Sequence, residues 1–371
     1  MTKNTSESIE NTLPRRTFLK RAGLAGAAML PMGALMASPT MAHAAGSNGT
    51  LKPGDAAILR FLAAAELIEA DLWIQYAELG GIGDNLPIEV APNQTLNPYQ
   101  LALNNLDGDA TQYITSNTLD EISHAVFLNA YLESHGAEPI NFDEFRTLQG
   151  STATGSSGIG RLTNLMHLNV DTSWYVRYRS ATNPDFGNNY PQAVHISNRP
   201  AIPRNNADMA DANHIQAIAN TAAFHFGYIE QGGTSLYAAM SQKVSSAEVL
   251  QITLGIGGDE IAHFLEWVDF AGNGVQSPIA PLTDGTLTFP DFYANLDPKT
   301  QPSLIFPVPC EFISPNLPRV SVIRPLNDKF AGAQATIASF TADGLFVGQS
   351  KQFLNLLHIL AVEADAAHRT I

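Results

Sequence analysis

Cysteine occurs once in 371 residues, at Cys310, so no disulfide can staple this chain to itself. Cys310 sits among prolines with no adjacent His or Cys, which reads as a buried or inert thiol and not a ligand. Charge is also scarce: only 15% of residues are charged, and 20 Lys and Arg stand against 35 Asp and Glu, a net charge of −15. So acidic a chain is not expected to have nucleic acid as a partner. Its 45% hydrophobic content excludes a disordered polymer and is enough for a sizeable core in one large or two ordinary domains. Beyond the N-terminal segment no apolar run is long enough to span a bilayer, so the processed chain is not expected to be transmembrane.

The N-terminal segment, residues 1–44, reads as a signal peptide. Pro14-Arg15-Arg16-Thr17-Phe18-Leu19-Lys20 precedes an apolar run to about Ala37, and Ala42-His43-Ala44 offers a small-residue cleavage site. Paired arginines followed by Phe-Leu-Lys look like a twin-arginine export signal, which implies engagement of the twin-arginine translocase and a periplasmic or extracellular destination. Residues 45–54 form a linker.

Two short patterns organise the rest of the chain: Glu121-Ile122-Ser123-His124 and Glu260-Ile261-Ala262-His263. An α-helix turns once in ~3.6 residues, so a spacing of three puts carboxylate and imidazole on one face, where together they can hold a metal ion. One Glu-x-x-His is commonly a solvated pair; two of them in a repeated context are far more specific.

That context is helical. A helix is expected over 56–79 with Asp55 as N-cap, apolar nearly all round and therefore central, which leaves Glu66 and Glu69 in need of partners. A long connection over 81–106 leads to a second helix over 110–134. Residues 137–207 read as an irregular, proline-broken insertion, with 162–167 helical and 174–178 helix or strand. A third helix is expected over 210–240. A fourth, opened by the capping pattern Ser245-x-x-Glu248, runs to 271. Residues 272–371 form an extension with short β-like runs at 286–289 and 320–324 and a last helix over 348–368. The first and third helices repeat each other: Glu69 precedes Tyr76 by seven residues, as Glu230 precedes Tyr237. The repeat favours Glu69 over its rival Glu66, since Gly227 stands where Glu66 would map. Gly232-Gly233 and Gly257-Gly258 read as points of close helix packing. His167, His214 and His225 read as core or surface histidines, and His358, Asp365 and His368 as an exposed polar face.

A glutamate helix followed by a Glu-x-x-His helix, twice over, resembles the ferritin-like superfamily. More narrowly, it resembles the ferritin-like domain family that includes exported bacterial proteins and plant desiccation-related proteins. The likeness is carried by Glu66-Leu67-Ile68-Glu69-Ala70-Asp71-Leu72-Trp73, by Asp120-Glu121-Ile122-Ser123-His124, by Ile229-Glu230-Gln231-Gly232-Gly233 with Tyr237, and by Asp259-Glu260-Ile261-Ala262-His263. It implies a mainly α fold: a ferritin-like four-helix bundle over 55–271 with the insertion 137–207, and the extension 272–371 outside the likeness. It also implies metal ligation by Glu69, Glu121, His124, Glu230, Glu260 and His263, with Glu66, Tyr76 and Tyr237 as alternative ligand or supporting groups. Oxygen-rich ligands with one imidazole per metal suit two divalent ions of iron or manganese over zinc. Redox chemistry on dioxygen or peroxide is the expected activity, whether ferroxidase, peroxidase or catalase-like. The alternative is a non-catalytic metal-binding or desiccation-protective scaffold, and a homo-oligomer is compatible with either.

Overall fold

The computed structural model describes residues 50–82, 95–180, 190–301, 306–322 and 331–370. The expected export segment, residues 1–44, and Pro184 therefore lie outside the described residues. The chain is mainly helical. Among the described residues there are eight α-helices: α1 (Pro53–Gly80), α2 (Pro98–Asn104), α3 (Ala110–Ser134), α4 (Ser173–Arg177), α5 (Ala212–Ser241), α6 (Ala247–Asn273), α7 (Ala333–Asp343) and α8 (Lys351–Ala366). None is long and apolar enough to cross a membrane.

The four long helices pack as two antiparallel pairs, α1 with α3 and α5 with α6. The end of α1 lies beside the start of α3, where Ile82 N donates to Thr115 Oγ1 at 3.0 Å and Thr118 Oγ1 to the carbonyl of Trp73 at 3.1 Å. The end of α5 meets the start of α6 through Ser241 Oγ and Thr253 Oγ1 at 2.9 Å. Between the pairs stand large aromatic side chains. Trp73 stacks on Phe226 and Trp267 with ring centroids 4.8 and 5.4 Å apart. Burial of rings this large is a main source of the core's stability.

Helix starts differ from expectation in an instructive way. Asp55 lies in the first turn of α1, which opens at Pro53, and its carboxylate instead accepts from Ser245 N at 2.7 Å and Ser246 N at 3.0 Å. The cap of α6 is accordingly Ser246, whose hydroxyl accepts from Val249 N, and not Ser245. A residue suited to a local cap thus acts across the fold, joining the starts of α1 and α6.

The stretch 137–207 contains α4 and little other regular structure. No helix forms over 162–167, because the amides of Leu162 and Thr163 donate to the buried carboxylate of Asp71 on α1, at 3.0 and 2.9 Å. Trp174 on α4 packs against α5 at Gly227, where a Cβ would collide with its ring. In the extension, β1 (Leu282–Asp284) pairs antiparallel with β2 (Leu287–Phe289), Leu282 opposite Phe289. The second expected run contributes an isolated bridge from Val320 to Cys310, whose thiol is buried, and 323–324 lie outside the described residues. The last helix, α8, is capped by Ser350 and packs along α1. Helices α2 and α7 were not anticipated. The first carries a full capping box from Asn97 and Gln100, and the second ends on Gly344 in the left-handed conformation that glycine adopts without strain.

Candidate metal centre

Each long helix brings at least one glutamate to the same interior pocket. Glu66 and Glu69 come from α1, Glu121 and His124 from α3, Glu230 from α5, and Glu260 and His263 from α6. All five carboxylates are at most 3% exposed, and Glu121, Glu230 and Glu260 are fully buried.

The two imidazoles are arranged alike. His124 Nδ1 lies 3.3 Å from Glu121 Oε2, 3.4 Å from Glu66 Oε2 and 3.9 Å from Glu260 Oε1. His263 Nδ1 lies 3.0 Å from Glu121 Oε1 and 3.2 Å from Glu230 Oε2. Two compact sets face the interior, Glu66, Glu121, His124 and Glu260 in one and Glu121, Glu230 and His263 in the other, and a third, Asp120, Asp259 and His263, lies on the outer side, each with its ligand atoms within 4.8 Å of one another. Glu121 belongs to both interior sets, which is the position of a bridging carboxylate. The ring centroids of the histidines are 6.4 Å apart.

The outer nitrogens are held crosswise. His124 Nε2 meets Asp259 Oδ2 of α6 at 3.2 Å, and His263 Nε2 meets Asp120 Oδ2 of α3 at 3.4 Å. Each aspartate thus orients the imidazole on the opposite helix so that Nδ1 faces the pocket, the kind of support that metal-binding histidines require. Both aspartate side chains are nearly half exposed, so they mark the solvent side of the pocket. Sequence reasoning missed their roles, although an Asp before the Glu of both motifs was there to be read.

Other supports come from inside. Asn117 Nδ2 donates to Glu121 Oε1 at 2.9 Å and Glu230 Oε1 at 3.1 Å, and its carbonyl accepts from Trp267 Nε1 at 2.7 Å. The Tyr237 hydroxyl donates to Glu66 Oε1. Tyr76 does not join this network; its hydroxyl meets His225 Nδ1 at 2.7 Å.

The structure therefore gathers Glu121, His124, Glu230, Glu260 and His263, and it gives the place beside His124 to Glu66. Glu69 is buried next to that set, near enough for its neighbours' charges to act on it, but outside the two compact groups. By their imidazole contacts it is Glu66, not Glu69, that corresponds to Glu230. Three residues further on, Glu69 then corresponds to Gly233.

Electrostatically the pocket is strained unless cations enter it. Burial, and then the charges of Glu121, Glu66 and Glu230, push the Glu69 carboxyl well up, with His124 opposing. Burial and the neighbouring carboxylates do the same to Glu260, and Glu121 is pushed up to about 7, chiefly by burial and Glu230, against the two histidines. Burial acts to lower both imidazoles. For His124 the carboxylates of Glu66, Asp259 and Glu121 outweigh it, for His263 those of Glu230, Asp120 and Glu121, and both are held protonated. Three carboxylate oxygens, Glu66 Oε2 and both of Glu260, are buried with no hydrogen-bond partner. Glu66 Oε2 and Glu260 Oε1 have His124 Nδ1 at 3.4 and 3.9 Å, without hydrogen-bond geometry. A buried carboxylate oxygen so poorly satisfied is costly, and a hard divalent cation would satisfy all three. The donor set of glutamate oxygens plus imidazole nitrogens fits such ions. No metal-ligating group forms around His358, Asp365 and His368 among the described residues. Asp365 instead accepts from the first amides of α7.

Comparisons with protein-family models, with curated proteins and with solved structures find no match for this chain.

Proposed function

We propose that α1, α3, α5 and α6 form a ferritin-like bundle that binds two divalent redox metal ions, iron or manganese. The loaded site would carry out oxidoreductase chemistry on dioxygen or peroxide. The single observation that supports this reading most is the pair of imidazoles, each presenting Nδ1 to shared buried carboxylates and Nε2 to an aspartate of the opposite helix. Four carboxylates balance two divalent cations, as a buried site requires.

The chain's own residues have distinct tasks in this reading. Glu66, Glu121, His124 and Glu260 would hold one ion, and Glu230, His263 and Glu121 the other. Metals so held supply one electron each, so a two-electron change at a small oxidant needs no organic cofactor. Asp120 and Asp259 fix the imidazoles and, being half exposed, offer an entry for cations. Asn117 and Tyr237 hold ligand oxygens in place. Glu69, whose carboxyl is pushed well up by burial and by the charges of its neighbours, is a further carboxyl group placed to give up or take a proton beside the ligands. We further propose export by the twin-arginine route on the strength of residues 14–20 and 42–44. Arg15→Lys with Arg16→Lys is expected to retain the protein in the cytoplasm.

The test is metal analysis of protein taken from its native compartment, followed by Fe(II) oxidation and peroxide consumption with Glu260→Ala as control. About two metals per chain and activity lost in the variant support the reading. A variant as active as the parent overturns the site, and stoichiometric metal with no turnover favours a metal-binding scaffold.

A further inference from the structure

A second group of buried ionisable side chains lies apart from the ligands. Tyr76 on α1, His225 on α5 and Asp343 at the end of α7 meet in the core, each side chain out of contact with solvent. The Tyr76 hydroxyl is 2.7 Å from His225 Nδ1, and His225 Nε2 is 3.1 Å from Asp343 Oδ2. Burial, with Tyr99 and Asp343 nearby, holds the Tyr76 phenol well above its ordinary pKa, so it stays protonated. Three polar groups of this kind are expensive to place in a core for packing alone.

The group is also connected to the pocket. Trp267 donates its indole N–H to Asn117, which donates to Glu121 and Glu230. Trp267 stacks on Trp73 with centroids 5.4 Å apart and planes at 26°, and Trp73 lies 5.6 Å from Tyr76. Phe226 packs against all three rings, and all four are buried. Indole and phenol rings that are buried, easily oxidised and spaced 5.4–5.6 Å apart form a path for single electrons from Tyr76 to the carboxylate pocket.

We propose that Tyr76, His225 and Asp343 form a proton-coupled one-electron redox site, wired to the pocket through Trp73 and Trp267. In its step the Tyr76 phenol loses one electron along the indoles to a one-electron oxidant, and its O–H bond breaks. The proton passes to His225 Nδ1, giving a neutral tyrosyl radical and an imidazolium faced by the Asp343 carboxylate, and the oxidant is reduced by one unit. The oxidant is an oxidised metal ion in the pocket, the one point at which this inference rests on the proposed metal centre. Return of one electron from the reduced metal and of the proton from His225 restores the phenol. Such a site lets a two-metal centre handle odd numbers of electrons and draws damaging oxidation away from the ligands.

The test replaces the metal with light. Metal-free protein is oxidised by flash-generated tris(bipyridyl)ruthenium(III) with a cobalt(III) quencher, held for about a second, frozen and read by electron paramagnetic resonance. Radicals on exposed tyrosines couple and vanish in that time, whereas one sealed in the core persists. The expected result is a persistent tyrosyl signal in the parent protein, at least tenfold weaker in Tyr76→Phe and in His225→Asn, and slower to form in Trp73→Leu. A parent protein with no persistent tyrosyl signal overturns the proposal without recourse to any variant. An undiminished signal in folded Tyr76→Phe or His225→Asn overturns it as well. Because the photo-oxidant stands in for the metal ion, a failure here leaves the metal reading intact, and a protein that binds no metal can still give the signal.

Discussion

A Cβ on Gly233 would collide with the carboxylate of Glu260. The side chain missing from α5 at that point is the space into which a site glutamate of α6 folds. On α1 the corresponding position, three residues after the glutamate that faces the imidazole, is Glu69. The two halves of the pocket therefore differ by one carboxylic acid, and the glycine is part of the site and not a general accommodation of helix packing.

Gly233→Ala is thus expected to push Glu260 off its place while the fold persists. The atom in the way is the end of a flexible side chain, and alanine in a helix gains up to ~1 kcal/mol over glycine, which offsets the local crowding. Metal affinity should fall at least tenfold by calorimetric titration, with the metal-free unfolding temperature within about 3 °C of the parent. Unchanged affinity would show that Glu260 is not a ligand.

Much of this site could be read from the sequence, and the exception has a physical cause. The two Glu-x-x-His patterns placed Glu121, His124, Glu260 and His263, because a spacing of three on a helix leaves little freedom. Glu66 and Glu69 were harder, since each is followed seven residues later by an aromatic, Trp73 and Tyr76. The tyrosine spacing and Gly227 favoured Glu69 as the counterpart of Glu230, whereas the imidazole contacts give that place to Glu66. Only packing shows that Glu66 reaches an imidazole while Tyr76 turns to His225. The central helices were legible from their continuous apolar run. The use of Asp55 to hold the start of α6, and of Asp71 to organise 162–163, was not, because both join residues far apart in sequence.

Glu260→Leu should separate stability from function. Both oxygens of Glu260 are buried without a hydrogen bond, and the nearest cation, His124 Nδ1, is 3.9 Å from Oε1, so replacing the carboxyl with an aliphatic chain of similar size removes a poorly satisfied polar group. Metal-free protein is expected to gain on the order of 1–3 kcal/mol in chemical denaturation. Bound metal, by elemental analysis, should drop from about two ions per chain to one or none. A variant less stable than the parent when both are metal-free would count against the poorly satisfied state of this carboxylate.

The pocket also sets a pH dependence. Glu121 is raised to about 7 in the fold, so its neutral form is favoured there, and its contribution is fully present below about pH 4.5 and fades as pH rises toward 7. The imidazoles, raised above their unfolded value of about 6.5, contribute below that pH and lose the contribution as pH climbs beyond it. Both effects have the same sign. Metal-free protein should therefore lose stability, on the order of 2–4 kcal/mol, between about pH 5 and 8. Metal ions displace the protons, so affinity should rise over the same range. Metal added at pH 7 in weak buffer should release at least about two protons per chain, read with an indicator dye. Binding without proton release would contradict protonated imidazoles in the empty pocket.

Asp71 offers a test of how the 137–207 stretch is held. Its fully buried carboxylate faces Arg146 Nη1 at 2.6 Å and accepts from Leu162 N, from Thr163 N and Oγ1, and from Gln75 Nε2. Five donors converge on one charge, so Asp71→Asn turns an amide N–H₂ toward N–H donors and removes the buried counter-ion of Arg146, which also has Asp143 at 3.6 Å. Breaking one side of such a buried pair costs ~3–5 kcal/mol. At about 1–2 °C per kcal/mol for a chain of this size, the unfolding temperature should fall by roughly 3–10 °C. Limited proteolysis should quicken first between 143 and 163. Arg146→Ala alone is expected to cost a similar amount, and the double variant clearly less than the two added together, since each removes the same pair. Strict additivity would mean that the carboxylate and the guanidinium stabilise the fold independently, and that the amides of Leu162 and Thr163 carry the anchor by themselves.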